Sequence, residues 1–404
     1  DRILSMLAKE MLDAAELLPA SQSEVGRIHK YIALAYAAKI KLYQAYQQDE
    51  TTHAVTSINK ELLREVVSLC DQVTASNRYG LLDDFQGLDL VANENGKESV
   101  FAIQYSMNDG TESAGRINWS NLLNSPGGGS PYGGDGFFLP SQDLINAYQT
   151  DANGLPDFNY QSKSDYSWAV LNNGVYTLQN TTPNVDPRLD FVVGRPTITW
   201  KTYPDKPCEG WVRDKETYGY NCAKRFWVSP ESSDMFNGWP WGASQLNWQI
   251  IRYADILLWK AEALIELNEG DGLETARDLI NQIRNRARNS AYVKDFNDHS
   301  KYAANYLVNP YPADVWNQDY ARQALRWETR LEKALEGERF FDLVRWGIVE
   351  TTMNKYITAE SDNRIYYANA HFTGGKDEYY PVPNNQYGFS GGKYVQNPGY
   401  APFN

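Results

Sequence analysis

Helical periodicity is strong at both ends of the chain and fades between them, and this contrast constrains the fold more than any other feature. Apolar residues recur every three or four positions in these end regions, which predicts amphipathic helices. The periodic stretches are residues 1–18, 26–48, 57–77, 247–265, 273–288, 313–335 and 338–349. Gly270–Gly272 separates two of them and predicts a helix–turn–helix pair, although no clean 34-residue period is present.

Residues 80–245 have a different character. Gly, Pro, Asn, Ser and aromatic residues dominate, most densely at Pro126–Gly136. The pattern predicts short elements only, namely a helix over Ser141–Gln149 with Ser141 as its N-cap, and strands at Val100–Gln104 and Phe191–Val193. A span this long is too long for a connecting loop and indicates an elaborated subdomain.

These patterns predict a mainly α fold in which one helical scaffold carries a large loop-rich insertion. The expected parts are a helical N-terminal part (1–80), a loop-rich ligand-binding subdomain (81–246) and a helical C-terminal part (247–404). The tail from about residue 365 is rich in Tyr, Gly and Pro, and we expect it to wrap the surface as coil.

Composition excludes several classes of function. The 38 basic and 51 acidic residues give a net charge of −13, which disfavours nucleic-acid binding. No stretch approaches the ~20 apolar residues of a membrane helix. Four His and three Cys leave little material for a zinc centre, and we expect no cofactor. Asn93–Gly96 and Asp151–Asp157 are weak calcium candidates, because neither forms a complete calcium-loop motif.

Cysteine placement leaves one question open. Cys70 follows an apolar helical stripe and is predicted to be buried. Cys208 and Cys222 bracket a loop-like stretch, and either a disulfide or two free thiols fits them. A disulfide there would close a loop of about 14 residues and stabilise the fold by roughly 3 kcal/mol.

Aromatic residues are the main compositional clue to function. Tyr, Trp and Phe total 54, of which 40 are Tyr or Trp, side chains that join a flat apolar face to a polar tip. Ten Tyr and Trp residues of the middle region are candidates either for packing loops or for binding a ligand. They are Trp119, Tyr132, Trp168, Trp200, Tyr203, Trp211, Tyr218, Tyr220, Trp239 and Trp241.

We expect six or seven of these ten to pin loops onto the scaffold, and two to four to form an exposed platform for sugar rings. The first candidates are Trp211 and Tyr218, on the loop between the two cysteines. Next are Trp239 and Trp241 of Asn237–Gly242, where the intervening Pro240 stiffens the backbone. Trp119 and Tyr132 complete the predicted ligand-binding set.

Several segments, in order and over most of the chain, resemble the SusD/RagB family. They are GDGFFLPSQDLINAY (134–148), DPRLDFVVGRP (186–196), RYADILLWKAEALIELN (252–268), ARDLINQIRNRAR (276–288), ALEGERFFDLVRWG (334–347), YYPVPNNQ (379–386) and QNPGY (396–400). The resemblance implies tetratricopeptide-like helix pairs carrying a loop-rich subdomain. It also implies a Bacteroidetes outer-membrane lipoprotein, exposed at the cell surface, that binds oligosaccharides without catalysis and acts as a lid on a SusC-like TonB-dependent transporter.

The start of the chain departs from the family pattern. Family members usually carry a lipidated cysteine and a further helical segment there, whereas Asp1 opens directly into a helix. We therefore expect a shortened chain that lacks its lipid anchor and has an incomplete binding site. That anchor would be the protein's one link to the membrane. Aromatic ligand contacts vary across the family, so the resemblance assigns no site residue.

Two alternatives stay open. An oligopeptide could replace the glycan as cargo, as in the RagB branch, although the many loop tryptophans favour glycan. A glycoside hydrolase would need two placed carboxyl groups, for which the sequence offers no local signature. Glu336, Glu338, Asp342 and Arg345 invite a catalytic interpretation. Glu338, Asp342 and Arg345, however, have the spacing of charge pairs on one helix face, and we interpret the group as structural. Phe340, Phe341, Leu343 and Trp346 are predicted core residues.

Overall fold

The computed structural model describes residues 2–112, 115–119, 121–124, 126–127, 129–173, 175–178, 183–207, 210–239 and 241–403. Its α-helices are α1 (Arg2–Leu17), α2 (Lys30–Ala45), α3 (Lys60–Ala75), α4 (Asn121–Asn124), α5 (Gln142–Ala147), α6 (Arg188–Val192), α7 (Lys215–Tyr218), α8 (Tyr253–Leu267), α9 (Gly272–Asn289), α10 (Gln318–Glu332), α11 (Arg339–Arg345), α12 (Val349–Glu360) and α13 (Asn384–Phe389).

The strands are short and pair as antiparallel ribbons. They are β1 (Tyr46–Gln48) with β2 (Val55–Ile58), β3 (Ser99–Ile103) with β8 (Trp248–Arg252), β4 (Ala169–Asn172) with β5 (Val175–Leu178), and β6 (Val193–Gly194) with β7 (Cys222–Ala223). None of the helices in the described ranges is long and apolar enough to cross a bilayer.

The long helices form a stack. Helix α1 packs on α2, α2 on α3, α3 on α8 and α8 on α9, while α10 packs on both α8 and α9. Helix α2 is rich in fully buried alanines, such as Ala35, Ala37 and Ala38, and these small side chains let its neighbours approach closely. Because α3 contacts α8 directly, residues 76–252 leave the stack and return to it. The three-part division stays a prediction.

A buried ionic network fastens this excursion to the helices. Arg188, the first residue of α6 in the loop-rich region, donates to Glu328 at 2.6 Å and to Glu332 at 3.2 Å, both on α10. Arg252, at the start of α8, donates to Glu98 at 2.7 Å and to Glu332 at 3.0 Å. These side chains are fully buried, so each charge depends on its partners. The network therefore holds the loop-rich region in a fixed position on the stack.

Several predicted elements are confirmed with shifted ends. The helices α1, α2, α3, α9 and α10 lie within or close to the predicted stretches. Ser141 caps α5, because its hydroxyl oxygen accepts a hydrogen bond from the Leu144 N–H at 3.2 Å. The predicted strand at Val100–Gln104 corresponds to β3.

Other predictions are wrong. The helix predicted from Asn247 begins only at Tyr253, because 248–252 pairs with β3. Residues 188–192 form α6, so the predicted strand at Phe191–Val193 is reduced to β6. The helix predicted over 338–349 ends at Arg345, and Gly347 follows with φ +67° and its Cα against Val55.

Helix α12 follows that glycine and was not predicted. Phe341 is exposed, since the seven residues of α11 turn Leu343 and Trp346 inward and leave it on the outer face.

Candidate ligand-binding site

A hairpin loop at 234–245 carries the first part of the candidate site. The Phe236 N–H donates to the Ala243 carbonyl at 2.9 Å, and the Gln245 N–H donates to the Asp234 carbonyl at 3.1 Å. Beside it, the Asn118 N–H donates to the Ser244 carbonyl at 2.8 Å, which brings Trp119 next to the hairpin. Gly242 has φ +70° and lies so close to the Trp227 ring that a Cβ atom would be 2.4 Å from it. The hairpin is therefore held against the core at Gly242.

Three exposed indole rings lie at this hairpin, Trp239 and Trp241 within it and Trp119 beside it, and they are here called the tryptophan patch. The exposed fractions of Trp119, Trp239 and Trp241 are 42%, 61% and 50%. Trp119 and Trp239 meet edge to face, with ring centroids 5.1 Å apart and planes at 80°. The ring of Trp241 lies against the backbone of Gly133. Large exposed aromatic faces of this kind are typical of interaction surfaces.

The aromatic core beneath the patch consists of Tyr132, Trp200, Trp211 and Trp227, together with Val212 and Cys222. The Trp200 Nε1–H donates to the Tyr132 hydroxyl at 2.9 Å, and that hydroxyl donates to the Val228 carbonyl at 2.6 Å. Burial raises the pKa of Tyr132 well above its ordinary value, so it stays a neutral donor. Met235 of the hairpin packs on this cluster, which supports the patch from below.

Two predicted site residues belong to this core and not to the patch. Trp211 is 2% exposed and packs on Trp200 with centroids 5.3 Å apart, and Tyr132 is 1% exposed. A ring without an exposed face cannot stack on a sugar, so the structure does not support either residue as a platform. Their part is to hold the loops that carry the exposed rings.

Tyr218 is exposed but lies elsewhere. Its ring centroid is 6.0 Å from that of Tyr366, and Tyr366 contacts Tyr367 at 4.5 Å. Tyr366 is not among the residues that the sequence singles out, because it lies in the Tyr-rich tail. The adjacent tyrosines Tyr366 and Tyr367 are the signal that could have found it. Tyr218 and Tyr366 form a second, smaller aromatic surface.

The choice between a disulfide and two free thiols at Cys208 and Cys222 stays open. Cys222 is buried, with its Sγ 3.5 Å from the Gly194 carbonyl oxygen, whereas Cys208 lies outside the described residues, as does Pro240. Desolvation raises the pKa of the Cys222 thiol. The described residues show no group of three or more His, Cys, Asp or Glu side chains placed to hold a metal ion. In the calcium candidate at Asp151, the carboxylate accepts the N–H groups of Asn153 and Leu155, as in an ordinary turn.

Desolvation raises the pKa values of two carboxyl groups to about 7, those of the half-buried Glu94 and the buried Glu360. Glu94 accepts the Asn247 N–H at 2.5 Å, while Glu360 accepts the Asp143 N–H. They have different neighbours and do not face a common cleft as the acid and nucleophile of a glycosidase would. In the FFDLVRW segment, Arg345 pairs with Asp342 and Glu262, which agrees with a structural role for these charges.

Comparison with known proteins identifies the family. The model of the SusD family matches residues 97–400, and this chain belongs to that family. No curated protein matches it. Its mainly helical fold, with tetratricopeptide-like helix pairs, is that of SusD-like proteins, as the sequence predicts.

Three solved structures illustrate the likeness. A SusD homolog from Bacteroides thetaiotaomicron has a TM-score of 0.67 at 18% identity, covering 99% of this chain and 70% of its own. A SusD-like protein from Bacteroides fragilis has a TM-score of 0.57 at 22% identity, and the match covers 86% of this chain and 60% of that protein. Surface glycan-binding protein A from Bacteroides thetaiotaomicron, in complex with laminarihexaose, has a TM-score of 0.60 at 17% identity, covering 98% and 70%. This chain thus spans 60% to 70% of the length of these relatives.

Proposed function

We propose that the protein is a non-catalytic glycan-binding protein of the bacterial cell surface that stacks sugar rings on the tryptophan patch. The observation that carries this proposal is the exposure of Trp239 and Trp241 on one hairpin and of Trp119 beside it, with Met235 of the hairpin packed on the aromatic core. Membership of the SusD family supports it. So do solved relatives described as a laminarin-binding SusD-like protein and as a complex with laminarihexaose.

The expected affinity is modest. Two indole faces that together cover ~200 Å² of sugar contribute roughly 5 kcal/mol. Association costs at least ~4 kcal/mol, and a few hydrogen bonds of ~1 kcal/mol each add to the balance. The expected Kd is therefore roughly micromolar to millimolar. Such a value suits a protein that captures a glycan and then releases it.

The rest of the proposal follows the family. The captured glycan is delivered to a SusC-like TonB-dependent transporter in the outer membrane, on which this protein sits as a lid. A lipid anchor attaches the full-length protein to the cell surface. Neither a cofactor nor a nucleic acid takes part.

Affinity gel electrophoresis against plant, microbial and host polysaccharides tests the proposal. We expect at least one polysaccharide class to retard the purified chain, while a reducing-sugar assay stays at background. Capture of peptides from a mixture, with no retardation in any gel, would contradict glycan binding and favour oligopeptide cargo. Sugar release that one carboxylate substitution abolishes would contradict the non-catalytic role.

A further inference from the structure

A second candidate site is a cavity of about 600 Å³ between the α1–α2 loop, the segment after α3 and strand β3. This volume is within the range of small-ligand pockets. Cationic side chains reach its wall from three directions, Arg27 from the α1–α2 loop, Arg78 from the segment after α3, and Lys97 from the turn before β3. Glu24 is the one carboxylate among the described residues that line it. The cavity is thus locally cationic in a chain whose net charge is −13.

The three cationic side chains of this cavity can contact a ligand. Lys97 pairs with Asp83 at 2.8 Å, and Arg27 pairs with Glu24, but all four side chains are exposed. Exposed ion pairs contribute little stability, so a ligand can replace them at small cost. Arg78 has no carboxylate within ion-pair distance in the described part of the chain. The Gly80 N–H donates to the Lys97 carbonyl at 2.7 Å, which holds the Arg78 segment beside Lys97.

A buried histidine forms part of the cavity wall. His29 is 9% exposed, and its ring stacks on Tyr79 with planes at 19°. Its Nε2 lies 3.2 Å from the Tyr79 hydroxyl, while its Nδ1 has no hydrogen-bond partner among the described residues. Burial, followed by the nearby Arg78 charge, lowers the pKa of His29, so the ring is neutral at pH 7. The neutral ring therefore adds no charge to the cavity wall, whose positive charge comes from Arg27, Arg78 and Lys97.

The backbone connects this cavity to the tryptophan patch. Gln104 lines the cavity and accepts the Asn247 Nδ2–H at 3.1 Å. Three residues further back, the Ser244 carbonyl accepts the Asn118 N–H next to Trp119. Three residues of chain span at most ~10 Å. A short oligosaccharide is long enough to contact both places.

We propose that this cavity binds an acidic sugar residue, one that bears a carboxylate or a sulfate, of the glycan whose other rings stack on the tryptophan patch. The inference rests on the proposed glycan-binding function and names its substrate class. A planar guanidinium suits the oxygens of either group. The amides of Asn77, Asn95 and Gln104 supply partners for the sugar hydroxyls around it.

Affinity gels with matched pairs of polysaccharides test this inference. The pairs are polygalacturonate with its methyl ester, alginate with its carboxyl-reduced form, and carrageenan with its desulfated form. We expect an acidic member to retard the chain at least tenfold more strongly than its neutral partner. The pair that discriminates shows whether the recognised group is a carboxylate or a sulfate.

Variants then locate the effect. Arg78→Gln and Lys97→Gln are each expected to weaken binding of the acidic member at least fivefold and to leave the neutral derivative unchanged. Lys393→Gln, at an exposed tail position, is the matched control and is expected to change neither. Equal retardation by acidic and neutral members, or Arg78→Gln behaving like Lys393→Gln, would overturn the acidic-sugar inference while leaving glycan binding intact. Retardation by no glycan at all would overturn both proposals.

Discussion

At the scale of single residues, solvent exposure decides which aromatic side chains of the loop-rich region can contact a ligand. Trp239 is mostly exposed on the hairpin, so Trp239→Ala removes ligand contact area without opening a cavity. We expect glycan affinity to fall at least tenfold, Trp239→Phe to retain part of it, and the melting temperature to change little. Titration calorimetry measures this, with Phe389→Ala, an exposed aromatic of the tail, as the control. Unchanged affinity in a folded Trp239→Ala protein would remove this residue from the site.

Glu360 offers a residue-scale test of buried charge. Desolvation raises its pKa to about 7, above the ~4.3 expected when unfolded. Stability is therefore greatest below pH ~4.3 with respect to this group and declines as the pH rises to about 7. Glu360→Gln keeps an acceptor for the Asp143 N–H and removes the charge.

The variant is expected to be more stable than the parent by about 1–3 kcal/mol above pH 7, with the gain fading toward pH 4. Thermal melts across this pH range would show it. A difference that does not vary with pH would contradict the raised pKa.

At the scale of elements, Glu332 of α10 joins the loop-rich region to the stack. Burial alone would raise its pKa, but Arg286, Arg252 and Arg188 outweigh burial and lower the pKa to about 2. The carboxylate thus stabilises the fold above pH ~4.3, and this contribution is lost as the pH falls toward 2. Glu332→Gln leaves buried guanidinium groups undercompensated and is expected to cost about 3–5 kcal/mol at pH 7.

Chemical denaturation at pH 7 and again near pH 3 measures that loss, which is expected to be smaller at the lower pH. Glu10→Gln, an exposed position of α1, is the control and is expected to be neutral. A Glu332→Gln protein as stable as the control would contradict the role of the network.

Local patterns predicted the elements whose cause is local. The helices of the stack follow from periodicity, and the N-cap of α5 follows from Ser141. Strand β8 could not be predicted in this way, because Trp248 pairs with Ile103, almost 150 positions earlier in the chain. The site shows the same limit. Trp211 and Trp239 both have aromatic, glycine-rich neighbours in the sequence. Tertiary packing, with Trp200 and Tyr203 against Trp211, buries one ring and leaves the other exposed.

At the scale of the whole molecule, a helical stack holds a loop-rich region whose aromatic residues divide between a small core and an exposed surface. Of the ten Tyr and Trp residues singled out in that region, Trp119, Tyr218, Trp239 and Trp241 are exposed and the others are buried or half-buried. This division agrees with the expected two to four exposed rings. The burial of Trp211 and Tyr132 moves the candidate site onto the hairpin.

The most direct test of the central claim compares the parent chain with the double variant Trp119→Ala/Trp239→Ala in gels that contain the polysaccharide giving the strongest retardation. Both proteins should melt at nearly the same temperature, because the two rings are largely outside the core. The account predicts that the parent is retarded and that the double variant migrates as in a gel without polysaccharide. Equal retardation of the two folded proteins would show that the glycan binds elsewhere and would contradict the tryptophan patch as the binding site.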